Sequence, residues 1–293
     1  MFDAIQFILA GMLVGFCVGI TGVGGGSLMT PILISLFKIE PHIAIGTDLI
    51  YASISKFCGS LVHAKKLNVV WPLVLWLAVG SLPASFATHW VLENYLSQST
   101  EYKKVLTTVL GAMLTLTGIS IIFRVHIEKF FNRFRKQHAD GEALSFTPKR
   151  VAYIIIMGIV LGIFVTLSSV GAGAFGVMAL ILLFPNLPMI RIIGSDVAHA
   201  VLLTFVAGMA HMSSGNVDFH LLAYLLVGSI PSIIVGTLIS SKMPEKMIRK
   251  ILGITLFLLG INFIVNPSKE KPKPTSETAM LVQPQHAADS SKK

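Results

Sequence analysis

At 293 residues the chain has the length of about two soluble domains, yet 54% of its residues are hydrophobic and only 13% are charged, about half the charged share of soluble proteins. A soluble core of this length could not enclose that much apolar surface, so an all-α, polytopic protein of the cell (inner) membrane is expected. The net charge of +9 does not point to nucleic acid: seven of the 23 Lys and Arg fall between Arg124 and Arg150 and five more follow Asn266, the distribution of the positive-inside rule, with no basic stripe interleaved with aromatics.

The N-terminus, MFDAIQFILAGMLVGFC, has Asp3 and no basic residue before its apolar run. It lacks the charged leader of a cleavable signal peptide and reads as the first membrane segment. Apolar runs follow at about 4–20, 27–38, 43–63, 70–92 and 103–124, then at about 151–169, 175–184, 191–212, 219–241 and 247–265. At 1.5 Å per residue, 27–38 and 175–184 reach only about 15–18 Å, too short to span a bilayer alone. Both follow a glycine-rich break, TGVGGG and GAGAFG. Residues 1–123 and 151–266 thus read as two membrane repeats, giving 8–10 transmembrane helices with glycine-broken half-helices. A basic cytoplasmic linker, 124–150, joins them, and 267–293 has the Pro, Ser, Lys and Glu content of a disordered tail. Cys17 and Cys58 lie within apolar runs and read as small buried residues rather than a disulfide.

The repeat is visible without gaps. Shifted by 148 residues, the stretch from Ile45 to Ser85 falls on that from Ile193 to Ile233 with fourteen of 41 pairs identical. Shared Asp48/Asp196, His63/His211 and Asn68/Asn216 in apolar surroundings are hard to obtain from composition alone. Five segments per half is an odd number, so if all cross, the halves are inverted. Basic residues follow that orientation: Lys242, Lys246, Arg249 and Lys250 fall inside, while Lys103 and Lys104, beside Glu93 and Glu101, fall outside. In the competing arrangement the short segments re-enter, eight helices span, and both termini lie inside.

Ionisable residues inside a bilayer are costly and mark a pathway, relay or binding site by default. On one helix arc of about 100°, the third segment carries Asp48, Ala52, Ser55, Lys56, Gly59 and His63, and its twin carries Asp196, Ala200, Leu203, Thr204, Ala207 and His211. Lys56 sits near mid-segment, where it needs a carboxylate or an anionic ligand; its twin is Thr204. Asp48 and Asp196 suit proton coupling, or alternatively helix N-caps. His63 and His211, each before Asn68 or Asn216, suit a proton pathway or an interfacial position. His199 lies off the arc.

GAGAFG matches G-x-G-x-x-G, with Asp196 about 20 residues on, but a dinucleotide fingerprint needs a soluble strand–turn–helix unit, and here apolar runs flank the motif. The membrane reading has its own mechanism: half-helix N-termini at mid-membrane offer free N–H groups and a positive dipole end to an anion. Gly22, Gly24, Gly25, Gly26 and Ser27 would supply one such site, and Gly171 and Gly173 the other. Close packing between helices is the structural alternative.

GxGGG after the first segment, the second glycine copy, and IGTD or IGSD ahead of a long apolar helix resemble the sulfite exporter TauE/SafE family, also called the toluene-sulfonate uptake permeases. The resemblance covers about residues 5–265 apart from the central loop. It implies a membrane transporter of sulfite, sulfonates, sulfoacetate or related anions, with the glycine sites contacting substrate; Ala174 and Phe175 depart from the family pattern in the second copy. The expected partners are a small anionic solute, the lipid bilayer, and protons or Na+ as coupling ion, with a homodimer left open. No cofactor, metal or nucleic acid is called for. With no Walker-type motif, ion gradients would drive transport. A cation or divalent-metal permease built on the Asp and His residues is the alternative, though Asp and His without thiolates make a weak metal set. A membrane enzyme or assembly factor would need a nucleophile–base pair or a soluble catalytic domain, and neither is evident.

Overall fold

The computed structural model describes residues 2–21, 26–65, 68–96, 101–137, 146–171, 173–184, 187–239 and 245–267. They form ten α-helices in chain order: α1 (Phe2–Thr21), α2 (Gly26–Ser35), α3 (Pro41–Lys65), α4 (Trp71–Val91), α5 (Glu101–Gln137), α6 (Pro148–Ser168), α7 (Ala174–Leu183), α8 (Met189–Ser213), α9 (Phe219–Ile239) and α10 (Glu245–Val265). A π-helical turn, Leu92–Leu96, extends α4. The described residues contain no strand. Among the described residues five helices are long and apolar enough to cross a membrane, and α1 and α10 contribute the shorter apolar stretches Ala4–Ile20 and Lys250–Val265.

The half-helices α2 and α7 have 10 residues each, as the segment lengths predict. One boundary differs. Helix α5 continues to Gln137, so the first part of the expected linker is helical; 138–145 and the tail from 268 lie outside the described residues. Helix starts are marked where proline's fixed φ costs nothing, at Pro41 and Pro148. The Asp218 carboxylate caps α9 by accepting from the His220 and Leu221 N–H groups at 2.9 and 3.0 Å.

The halves interlock instead of standing side by side. Helix α1 of the first repeat packs on α9 of the second, and α6 of the second packs on α4 of the first. The contacts recur at repeat-equivalent residues. A methyl group on Gly11 or Gly15 would collide with the backbone of Leu225 or Ser229, and one on Gly158 or Gly162 with that of Leu77 or Ser81. Each of these partners lies 148 residues from its equivalent. Helices α5 and α10 pack through GAMLTLTG and GITLFLLG, with Gly111 against Gly260 and Gly118 against Gly253, so they run antiparallel. Helices α3 and α8 also cross, and the Ser53 hydroxyl donates to the carbonyl of Val201, its own repeat equivalent, at 3.4 Å.

Two apolar cores result, and each draws on both repeats: one around Leu49, Leu77, Leu161, Val165 and Leu203, the other around Val14, Leu33, Leu114, Leu225 and Leu256. Outward-facing Leu13, Leu75, Phe86, Val227 and Leu238 are exposed, an apolar girdle suited to lipid rather than water.

Candidate functional site

The small, polar arc expected on α3 and α8 faces the protein interior. Asp48, Ala52 and Lys56 are buried on α3, as are Asp196, Ala200, Leu203, Thr204, Ala207 and His211 on α8. Ile54 and Phe57, and Leu202, Phe205 and Met209, point outward from the opposite faces. Asp48 and Asp196 are not N-caps: α3 begins at Pro41 and α8 at Met189, so both carboxylates sit about two turns inside their helices.

What holds them there are the loops of that repeat. The Thr47 hydroxyl accepts from the Asp218 N–H at 3.0 Å, and the Ser195 hydroxyl accepts from the Val70 N–H at 2.8 Å. Gly46 lies against the Asn216 carbonyl and Gly194 against the Asn68 carbonyl. Asn68 and Asn216 thus act here through their backbones, in two equivalent clamps; Asn216 is buried and Asn68 half-buried.

Each half-helix docks on its own repeat's aspartate. Thr30, on α2, donates a short hydrogen bond to Asp48, and Ser169, at the end of α6, stands beside the same carboxylate. On α7, Gly176 leaves the space that the Asp196 carboxylate occupies, which a methyl group would invade. The Lys56 ammonium, buried between the repeats, interacts electrostatically with Asp196 and Asp48. An ammonium at mid-membrane costs about 3 kcal/mol on insertion scales, and two carboxylates are the compensation at hand.

The second break is built from left-handed backbone. Ser169 closes α6 in the left-handed region, φ 56°, while Gly171 and Gly173 have φ of 115° and 141°, values that L side chains rarely adopt. Gly173 is the N-cap of α7. Of the first break, Gly22, Gly24 and Gly25 lie outside the described residues; Gly26 opens α2, and Ser27 is buried in its first turn. His63 is within α3, but its side chain, like that of Cys58, lies outside the described set; Cys17 is half-buried and is in no disulfide among the described residues. His211 is away from the carboxylates, with Nε2 3.1 Å from the Thr166 carbonyl oxygen.

Several residues that spacing alone did not single out join the site. His199, off the expected arc, is buried 2.8 Å from the Ser81 hydroxyl and faces Lys56. Its repeat equivalent, Tyr51, lies against Ser229, the equivalent of Ser81. The 148-residue shift pairs both couples, but a His-for-Tyr exchange hid the match. Thr30 and Ser169 carry no spacing signal, while Gly176 was visible only as the third glycine of the rejected nucleotide motif.

The arrangement is a buried charge cluster where two broken helices meet two crossing ones. The family model described as "Sulfite exporter TauE/SafE" matches residues 7–263. The chain belongs to that family. Among relatives, "Probable membrane transporter protein YjnA" of Bacillus subtilis is 36% identical over 261 residues, covering 89% of this chain and all of the relative. "Probable membrane transporter protein YdhB" of the same organism is 26% identical, covering 87% and 97%, and "Probable membrane transporter protein MJ0441" of Methanocaldococcus jannaschii is 24% identical, covering 87% and 92%. No solved structure matches. A TauE/SafE member with this girdle is a multi-pass membrane transporter, not an enzyme.

Proposed function

We propose that the protein is a secondary transporter, driven by an ion gradient, for a small sulfur-containing or organic anion such as sulfite, a sulfonate or sulfoacetate. The observation that carries this reading is Lys56, a buried cation beside Asp48 and Asp196, the two carboxylates against which the half-helices pack through Thr30 and Gly176. Free N–H groups and the positive dipole end of such helices favour an anion, and Lys56 adds a full charge. Asp48 and Asp196 then trade Lys56 between themselves and the incoming anion, and a coupling ion, H+ or Na+, neutralises the carboxylate that is released. The antiparallel packing of α5 on α10 supports inverted repeats, in which rocking of one half against the other exposes the same site to either side.

A metal permease has less support, since no group of three or more His, Cys, Asp or Glu side chains is placed to hold an ion among the described residues. The two readings part in proteoliposomes containing the purified chain. Uptake of labelled sulfite under an imposed H+ or Na+ gradient, abolished when Gly24 and Gly25 are both replaced by Val, is expected. Uptake of a divalent metal with no sulfite flux would reverse the order of the two readings.

A further inference from the structure

His89 belongs to no sequence motif, and its repeat equivalent is Thr237. Yet its ring packs on that of His211, with centroids 4.7 Å apart and planes inclined at 59°. His89 is at the C-terminal end of α4 and His211 at that of α8, and both are buried. The His211 Nε2 lies 3.1 Å from the carbonyl oxygen of Thr166. A carbonyl only accepts, so Nε2 carries the hydrogen and Nδ1 is the basic nitrogen. That Nδ1 is buried with no hydrogen-bond partner among the described residues. The His89 Nε2 bonds the Ser214 hydroxyl at 2.9 Å, and its Nδ1 is likewise buried without a partner. Two adjoining imidazoles therefore leave two buried ring nitrogens without a partner, of which the His211 Nδ1 is basic, and such unpaired polar atoms are costly unless something binds them.

The pair lies between charged side chains at the rim and the buried charge cluster. On one side the pair meets the charged rim: Glu93 acts on His89 from the π-helical turn after α4, and His42 on His211 from the start of α3. His42 in turn faces Glu40, Lys103 and Glu93, with Lys103 bonded to Glu40 at 2.8 Å. On the other side, Thr166 is tied to Ser85 at 2.7 Å and lies one turn before Ser169, the neighbour of Asp48. A polar seam so runs from the rim through His89, His211 and the last turn of α6 to the charge cluster.

We propose that His89 and His211 form the proton-entry site of the transporter, receiving one proton from the Glu40–Glu93–Lys103 end and relaying it toward the second glycine break and Asp48. The proton binds the His211 Nδ1 and leaves from that same nitrogen, since the Thr166 carbonyl facing Nε2 only accepts, and no bond forms to substrate. Two imidazolium rings in such contact repel, so the pair holds one proton at a time and titrates as a unit. The proposal rests on the transport reading only for its direction of use, and it makes H+ rather than Na+ the coupling ion.

Two measurements on the full chain test it. In proteoliposomes, wild-type sulfite uptake should rise by up to about tenfold per unit fall in external pH below saturation, as a one-proton requirement dictates. His89→Gln should flatten that profile, and His211→Gln should as well. Both chains see the same mixture of sulfite and bisulfite at each pH, so their comparison isolates the protein. A His89→Gln profile parallel to wild type overturns the proposal. Independently of any solute, 15N spectra of histidine-labelled protein in nanodiscs should show the His211 Nδ1 signal titrating, with its midpoint moved by about one pH unit or more in His89→Gln. An unmoved midpoint also overturns the proposal. Absent wild-type sulfite flux with the coupled titration intact would sink the sulfite reading and leave the histidine pair standing.

Discussion

Gly176 shows how one missing side chain shapes the site. It sits on α7 where Asp196 of α8 turns its carboxylate inward, and a Cβ there would overlap that carboxylate. Gly176→Ala should therefore push Asp196 away from Lys56, destabilise the protein by about 1–3 kcal/mol as overpacking does, and lower uptake. Thermal unfolding in detergent together with flux measures both. Stability and flux equal to wild type would mean that Asp196 has room to move without consequence. Asp48, Asp196 and Lys56 were legible in the sequence because a charge in an apolar run needs a reason. Thr30, Ser169 and His199 were not, because a polar residue on a neighbouring helix acquires its role only when the helices cross. The capping reading of Asp48 and Asp196 failed for a related reason. A Gly-Thr or Gly-Ser pair before an aspartate looks like a helix start, but the helices run through it from Pro41 and Met189, about two turns earlier.

Helices pair here through small residues rather than through long apolar ones, as membrane helices do when lipid removes the usual hydrophobic drive. The α1–α9 and α6–α4 pairs use Gly15 against Ser229 and Gly162 against Ser81. Repeat equivalence then makes a quantitative statement: Gly15→Val and Gly162→Val should destabilise by similar amounts, about 1–3 kcal/mol each. Unfolding midpoints that fall for one variant and not the other would show that the two crossings do different jobs. The element boundaries were largely visible beforehand, since apolar run length fixes a span and glycine breaks fix the half-helices. The pairing was not. Nothing local in α1 says that it packs on α9, and the antiparallel GAMLTLTG–GITLFLLG contact between α5 and α10 joins stretches that the 148-residue shift does not align.

At the scale of the whole molecule, the two halves exchange helices, so neither core is complete without the other repeat. The proposed inversion of the two repeats carries a directional expectation. With Cys17 and Cys58 first replaced, Lys104→Cys before the apolar part of α5 and Lys250→Cys in α10 should label from opposite faces of the membrane by an impermeant thiol reagent in intact cells. Labelling from the same face would favour re-entrant half-helices. The central claim, that an anion meets Lys56 between the broken helices, is tested most directly by sulfite counterflow in proteoliposomes, wild type against Lys56→Met. Methionine keeps the unbranched shape and removes the charge. Losing one partner of a buried charge pair costs about 2–5 kcal/mol, so half-saturation should rise about 30-fold or more while the protein still folds. Counterflow at the wild-type concentration dependence in Lys56→Met would contradict the account.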